Sequence, residues 1–219
     1  TNFTVCLILD ASASMGYMGT KASCSKFRYA SMLVACFAYL AQRQGDRIGL
    51  FVYSNEVKEW IHPKSGSGQL NRVFSSLQGL EAEGKNNHEF AWERMASGLP
   101  GRAMVVFLSD FLEAEDSLPE SLRFSLSSRY ECLCLQVLDL DEIDLPDGEA
   151  FRFAELEGDR EVSTSPPAIM EKYKNDMSVF CNDLQTGLSA VSAEFESLST
   201  DQDLGHALRR FLGMRNRQA

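Results

Sequence analysis

TVCLILDASASMG, residues 4–16, passes from an uninterrupted apolar run into a loop of oxygen-bearing side chains. The run Val5, Cys6, Leu7, Ile8, Leu9 is short and ends abruptly in polar residues, which reads as a strand buried on both faces. At its carboxyl end Asp10, Ser12 and Ser14 set one carboxylate and two hydroxyls at alternate positions. Open parallel α/β sheets bind ligands at the carboxyl ends of their strands. Hydroxyl oxygens beside a carboxylate suit a small hard cation such as Mg²⁺, which keeps several of its waters. The same serines also suit a turn, or the cap of the next helix. From the loop alone both uses stand.

The chain has 219 residues, enough for one well-cored domain. It carries 21 Lys plus Arg against 31 Asp plus Glu, a formal net charge of −10. That balance argues against non-specific nucleic-acid binding and against attraction to anionic membranes. No apolar run approaches the roughly 18 residues that a membrane span needs. The chain opens almost directly on a strand, without an initiator Met or a signal-peptide pattern, so we expect a domain excised from a longer protein. Cys6, Cys24, Cys36, Cys132, Cys134 and Cys181 form neither a CxxC pair nor a Cys/His zinc spacing. Four of them lie in apolar segments, as expected of core thiols in a reducing, cytoplasmic setting.

Downstream of the Asp10 loop, residues 17–25 are small and polar. Lys26 to Gln44 then reads as a helix, with Phe27, Ala30, Val34, Phe37, Ala38 and Ala41 on one face and Gly45 at its end. Ile48 to Tyr53 is a second strand, so strand, helix and strand make a parallel crossover unit. Val57 to Ile61 reads as a short antiparallel edge strand ended by Pro63. Helices follow over Gln69–Leu77 and from His88 to Gly98. Ala103 to Leu108 is the next buried strand, ending in Ser109-Asp110. A helix over Asp116–Ser128 and a strand over Tyr130–Leu138 come next. Asp139 to Glu149 reads as a solvated acidic connection. Phe151–Leu156 pairs with Glu161–Ser163. Pro166-Pro167 opens a long helix to about Leu188, Val191–Leu198 is a final strand, and Asp203–Leu212 a final helix. No repeat or linker divides residues 1–219. The expected fold is a single doubly wound α/β domain, its mostly parallel sheet bearing one antiparallel edge strand and covered by helices on both faces.

Two buried strands thus end in carboxylates, Asp10 and Asp110. If both are central and parallel, both carboxylates lie on one edge of the sheet. The loop Gly84-Lys85-Asn86-Asn87 precedes the helix that returns to the Asp110 strand, and so reaches the same edge. Two carboxylates, two hydroxyls and one further side-chain oxygen suit octahedral Mg²⁺ or Mn²⁺.

These residues resemble a known family. Asp10-Ala11-Ser12-Ala13-Ser14 is similar to DxSxS, the first part of the metal-ion-dependent adhesion site (MIDAS) of von Willebrand factor A domains. Ser109-Asp110 resembles the third part, and GKNN at 84–87 falls where those domains carry a threonine-bearing loop. The resemblance implies a metal set of Asp10, Ser12, Ser14, Asn86 and Asp110, holding Mg²⁺ (or Mn²⁺ or Ca²⁺), with Asn86 standing where the family has threonine. The tail (Phe153 to Gly158, Tyr173, Phe180, Thr200-Asp201, Ala207-Leu208, Phe211-Leu212 and Arg215) resembles the bacterial domain-of-unknown-function family 58. Those proteins pair a von Willebrand A-type domain with MoxR-type AAA+ ATPases. The resemblance implies a non-enzymatic protein-binding module, whose partner offers an Asp or Glu to the metal and is a MoxR-type ATPase or a client that it remodels.

Other chemistries fit the sequence less well. The Asp139–Asp147 carboxylates miss the EF-hand spacing, with Ile143 where a ligand should stand. His62, His88 and His206 are scattered, and His88 reads as a helix-start residue. A DxDxT phosphatase loop would need a carboxylate where Ser12 is. A serine hydrolase would need a G-x-S-x-G elbow that is missing. A metal-dependent phosphatase or hydrolase built on the same strand-end carboxylates, and a scaffold whose metal site stays empty, are the alternatives to the binding module.

Overall fold

The computed structural model describes residues 3–99, 101–112, 122, 129–145, 151–154, 161–164 and 166–216. Its strands are β1 (Thr4–Asp10), β2 (Arg47–Tyr53), β3 (Val57–Lys64), β4 (Ala103–Ser109), β5 (Tyr130–Leu138), β6 (Phe151–Ala154), β7 (Glu161–Thr164) and β8 (Glu194–Ser199). The helices are α1 (Lys26–Arg43), α2 (Ser67–Gly79), α3 (His88–Gly98), α4 (Leu140–Ile143), α5 (Pro166–Ala190) and α6 (Gly205–Asn216). A six-stranded sheet runs in the order β3-β2-β1-β4-β5-β8, and β6 and β7 form a separate antiparallel pair. β1 lies parallel between β2 and β4, β4 is parallel to β5, and β5 to β8. Only the edge strand β3 runs antiparallel within the described sheet.

The apolar run of the first strand reads directly into this core. Val5, Leu7 and Leu9 pack into one layer with Leu33, Val34 and Phe37 of α1, and Phe37 stacks on Phe211 of α6 with ring centroids 4.7 Å apart. Cys6 and Ile8 point the other way, into a layer with Trp92 and Met95 of α3 and Leu184 and Leu188 of α5. Alternate residues of one strand therefore serve two helical layers, which is why the run is apolar without alternation. Each buried Leu, Ile or Phe contributes about 1.5–3 kcal/mol relative to exposure. Both central strands are fixed along their length, so the residues that follow them arrive at one edge.

Three expectations change. Pro63 lies within β3 rather than ending it, beside a register shift opposite Ile48 and Leu50. An edge strand tolerates the missing N–H there. β8 begins at Glu194, not Val191, because Val191–Ala193 close the end of α5: Ser192 has φ 64° and Ala193 N donates to Leu188 O at 3.0 Å. The acidic connection is not simply solvated, since Asp139 and Asp141 are buried and Leu140–Ile143 is a helical turn. The expected Asp116–Ser128 helix lies outside the described residues apart from helical Leu122, as does the tail segment beyond Ala154 up to Gly158. Among the described residues no helix is long and apolar enough to cross a membrane.

Candidate functional site

Asp10 is the last residue of β1 and is fully buried. Its Oδ1 accepts Ser12 N at 2.8 Å and its Oδ2 accepts Ser109 Oγ at 2.7 Å. The first bond is a turn closed by the Asp10 carboxylate rather than by a serine, and the Ser12 and Ser14 hydroxyl oxygens lie 3.2 Å apart. Asp110 follows β4, is equally buried, and accepts Leu112 N at 3.2 Å and the Ser14 side chain. Asp10, Ser12, Ser14 and Asp110 are therefore brought into one cluster at the carboxyl edge of neighbouring strands.

The loop carrying Asn86 reaches the same edge through its backbone. Ala13 N donates to Gly84 O at 2.8 Å, and Glu83 N to Ala11 O at 2.8 Å. Gly84 holds φ 83° and lies so close to β2's end that a Cβ would sit 2.6 Å from Asn55 Oδ1. Only glycine fits both constraints. Asn86 is half-buried on this loop, and Asn87 caps α3 by accepting Phe90 N at 3.0 Å. His88 starts α3 as read; it is buried, with Nδ1 2.7 Å from Tyr53 Oη and its ring among Phe107 and Phe111.

Two residues at this edge are not placed here by the sequence, in which Glu142 reads only as part of the solvated acidic connection. Lys26, the first residue of α1, is fully buried, and its Nζ lies 2.7 Å from Asp110 Oδ2 and 2.6 Å from Glu142 Oε1. Glu142 is held in turn by a capping box: its Oε2 accepts Asp139 N at 2.8 Å. The Asp139-x-x-Glu142 spacing is legible as that box. Lys26 left a fainter signal, a cation placed at the positive end of a helix where the dipole disfavours it.

Asp139 and Asp141 extend the cluster into the segment after the serine loop. Asp139 Oδ2 accepts Gly19 N at 3.1 Å and Thr200 Oγ1 at 3.2 Å, while Asp141 Oδ2 accepts Thr20 N at 2.8 Å. A Cβ on Gly19 would lie 2.1 Å from Asp139 Oδ1. Tyr173 Oη donates to Glu142 O at 2.8 Å.

Charge follows from this packing. Burial, and then the Asp110 carboxylate, push Asp10 up to about 7, against the hydrogen bonds from Ser109 and Ser12. Asp110 is lowered instead: burial opposes its charge, but the Lys26 ammonium, with the hydrogen bonds from Ser14 and Leu112 N, outweighs burial. Lys26 is raised, because Asp110 and Glu142 together outweigh the cost of burying it. Burial takes His88 down to about 4, so it is neutral at pH 7. Among the described residues no three His, Cys, Asp or Glu side chains are grouped to hold a metal. The set at this edge differs in kind: two carboxylates and two serine hydroxyls, an all-oxygen environment of the sort that hard cations take.

Comparison with known proteins fits this architecture. A family model described as "Protein of unknown function DUF58" matches residues 1–179. The uncharacterised protein Rv1480 of Mycobacterium tuberculosis is 27% identical over 218 residues, covering 97% of this chain and 67% of that protein. Among solved structures, the conserved hypothetical protein BatB of Bacteroides thetaiotaomicron superposes with a TM-score of 0.65 at 13% identity, over 98% of this chain and 99% of that one. A von Willebrand factor type A structure from Catenulispora acidiphila superposes with a TM-score of 0.56 at 14% identity, over 98% of this chain and 42% of that one. At these identities the two structures speak to fold alone: a von Willebrand A-like sheet.

Proposed function

The chain belongs to the DUF58 family, and from that membership, its von Willebrand A-like fold and the oxygen cluster at its sheet edge we propose that it is a metal-assisted protein-binding module. The observation that carries this is the meeting of Asp10 and Asp110 with the hydroxyls of Ser12 and Ser14 at the ends of adjacent parallel strands. Asp10, Ser12, Ser14 and Asp110 would hold Mg²⁺, or Mn²⁺ or Ca²⁺, with Asn86 supplying a further oxygen from the Gly84 loop. A bound divalent ion supplies a Lewis-acidic position that an Asp or Glu of a partner can complete. The chain's own residues do the rest. Ser109 and Ser12 N orient Asp10, Leu112 N orients Asp110, and the Gly84 bond to Ala13 fixes the loop between them.

The domain is not an enzyme on this proposal, and it works in the cytoplasm. Its partner is a MoxR-type AAA+ ATPase or a client of one, as its resemblance to that ATPase-associated family implies. A net charge of −10 repels an acidic partner at a distance, so a carboxylate needs a local reason to dock. A divalent ion provides it by cancelling the two carboxylates and leaving a coordination position that the partner's oxygen can fill. The test is capture of a co-encoded MoxR-type ATPase by the immobilised chain in Mg²⁺ and in EDTA. Capture should require the metal and fail with Asp10→Ala, with circular dichroism unchanged. Capture that persists in EDTA and in Asp10→Ala moves the interface off this edge.

A further inference from the structure

A buried lysine at a divalent-metal edge is the feature the binding proposal leaves unused. Lys26 Nζ bridges Asp110 Oδ2 and Glu142 Oε1, with the Lys26 and Asp110 side chains fully buried and Glu142 at 16% exposure. Stability does not explain it. A buried ion pair rarely outperforms apolar side chains of the same volume, and a cation in the first turn of α1 opposes the helix dipole. Charge does explain it. Asp10 and Asp110 match one divalent ion, and Lys26 with Glu142 is then a neutral pair beside them. Without metal, the same ammonium is shared between Asp110 and Glu142, so Asp110 is never left buried with no cation.

Resting on the metal-site proposal above, we propose that Lys26 is a tethered counter-ion that exchanges with the divalent metal at Asp110. Metal-free, it holds Asp110 Oδ2 and keeps the carboxylate in the fold. When metal binds Asp10 and Asp110, Lys26 withdraws to Glu142 alone. Glu142 is built as that second seat, because its other oxygen is fixed on Asp139 N and Tyr173 Oη holds its backbone. The same turn grips Gly19 and Thr20 through Asp139 and Asp141, so the exchange is joined to residues 17–25 beside the metal edge. Lys26 thereby lowers metal affinity and sets the Mg²⁺ concentration at which the edge becomes competent to bind.

Mg²⁺ titrations by calorimetry on the 219-residue chain, Lys26→Met, Lys26→Arg and Asp10→Ala separate the possibilities. Removing a positive charge adjacent to a divalent ion should tighten Mg²⁺ binding about tenfold or more in Lys26→Met. Lys26→Arg keeps the charge and should stay close to wild type, while Asp10→Ala should bind none. Lys26→Met binding no tighter than wild type, with Asp10→Ala still binding no Mg²⁺, overturns the exchange and leaves the metal site standing. No Mg²⁺ heat in wild type or Lys26→Met overturns the site itself, and the exchange with it. If Lys26→Met does not fold, the wild type decides. The lysine ¹H–¹⁵N ammonium signal that is absent in Lys26→Arg should move on Mg²⁺ addition. A stationary signal, alongside Mg²⁺-shifted backbone amides at Ser12 and Asp110, overturns the exchange.

Discussion

His88 shows at a single residue how this edge depends on uncharged packing. Its ring lies between Tyr53, Phe107 and Phe111, and burial takes it to about 4 from an ordinary 6.5. A group whose folded pKa is depressed binds its proton in the unfolded chain first. The stability it contributes is complete above about pH 6.5, and is lost as pH falls towards 4. Between pH 7.5 and pH 5 this loss comes to about 2 kcal/mol. His88→Gln keeps a hydrogen-bonding partner for Tyr53 Oη but does not titrate. Urea unfolding should therefore show wild type losing about 2 kcal/mol more than His88→Gln over that range. Parallel losses in the two proteins would show that His88 takes up its proton in the folded state without cost.

The element that most changes the picture is the turn α4. Read along the chain, Asp139–Glu149 is simply acidic; in the fold its first residues turn inward and clasp residues 19 and 20 from the far end of the sequence. The clasp needs a residue without a side chain at position 19, where a Cβ would stand 2.1 Å from Asp139 Oδ1 and 2.8 Å from Asp141 Oδ2. Gly19→Ala must push the turn away and break Asp139's bonds to Gly19 and Thr200. The expected cost is about 1–3 kcal/mol, the usual range for overpacking a filled site. Equilibrium denaturation measures it, and an unchanged midpoint would mean that α4 is free to shift. Elsewhere the elements follow local pattern closely. The α1 face over Phe27, Ala30, Val34, Phe37, Ala38 and Ala41 is buried at every position, because a helix at the core has one stripe to fill.

For the whole molecule, the relevant balance lies between a surface of net charge −10 and an edge whose carboxylates are buried. Folding gathers Asp10 and Asp110 against their mutual repulsion. A divalent ion that binds only the folded chain should therefore stabilise all of it. At a free Mg²⁺ concentration one hundred times the dissociation constant, linkage gives about 2.7 kcal/mol, which appears as a rise in Tm. Thermal melts of chelator-treated chain across an Mg²⁺ series should show this rise, and Asp10→Ala should remove it. Identical melts for the two proteins at every concentration would leave the edge without a metal.

The sequence by itself determined the scaffold and the order of its parts. Apolar runs such as Val5–Leu9 and Ala103–Leu108 can only be buried strands, and the helices between them force a parallel sheet. Their ends then fix where Asp10, Ser12, Ser14 and Asp110 must meet. DxSxS was legible because all its residues lie within one turn of chain, and Asn86's loop because it leads into a helix bound for the same edge. Tertiary structure alone decided which charges are neighbours. Lys26 lies 84 residues from Asp110 and 116 from Glu142, and Gly19 lies 120 from Asp139. Hydrophobic period records which face a residue turns inward, since burial repeats along an element. It holds no record of which polar group waits across the core, since that pairing is specified once, by packing, and repeats nowhere in the chain.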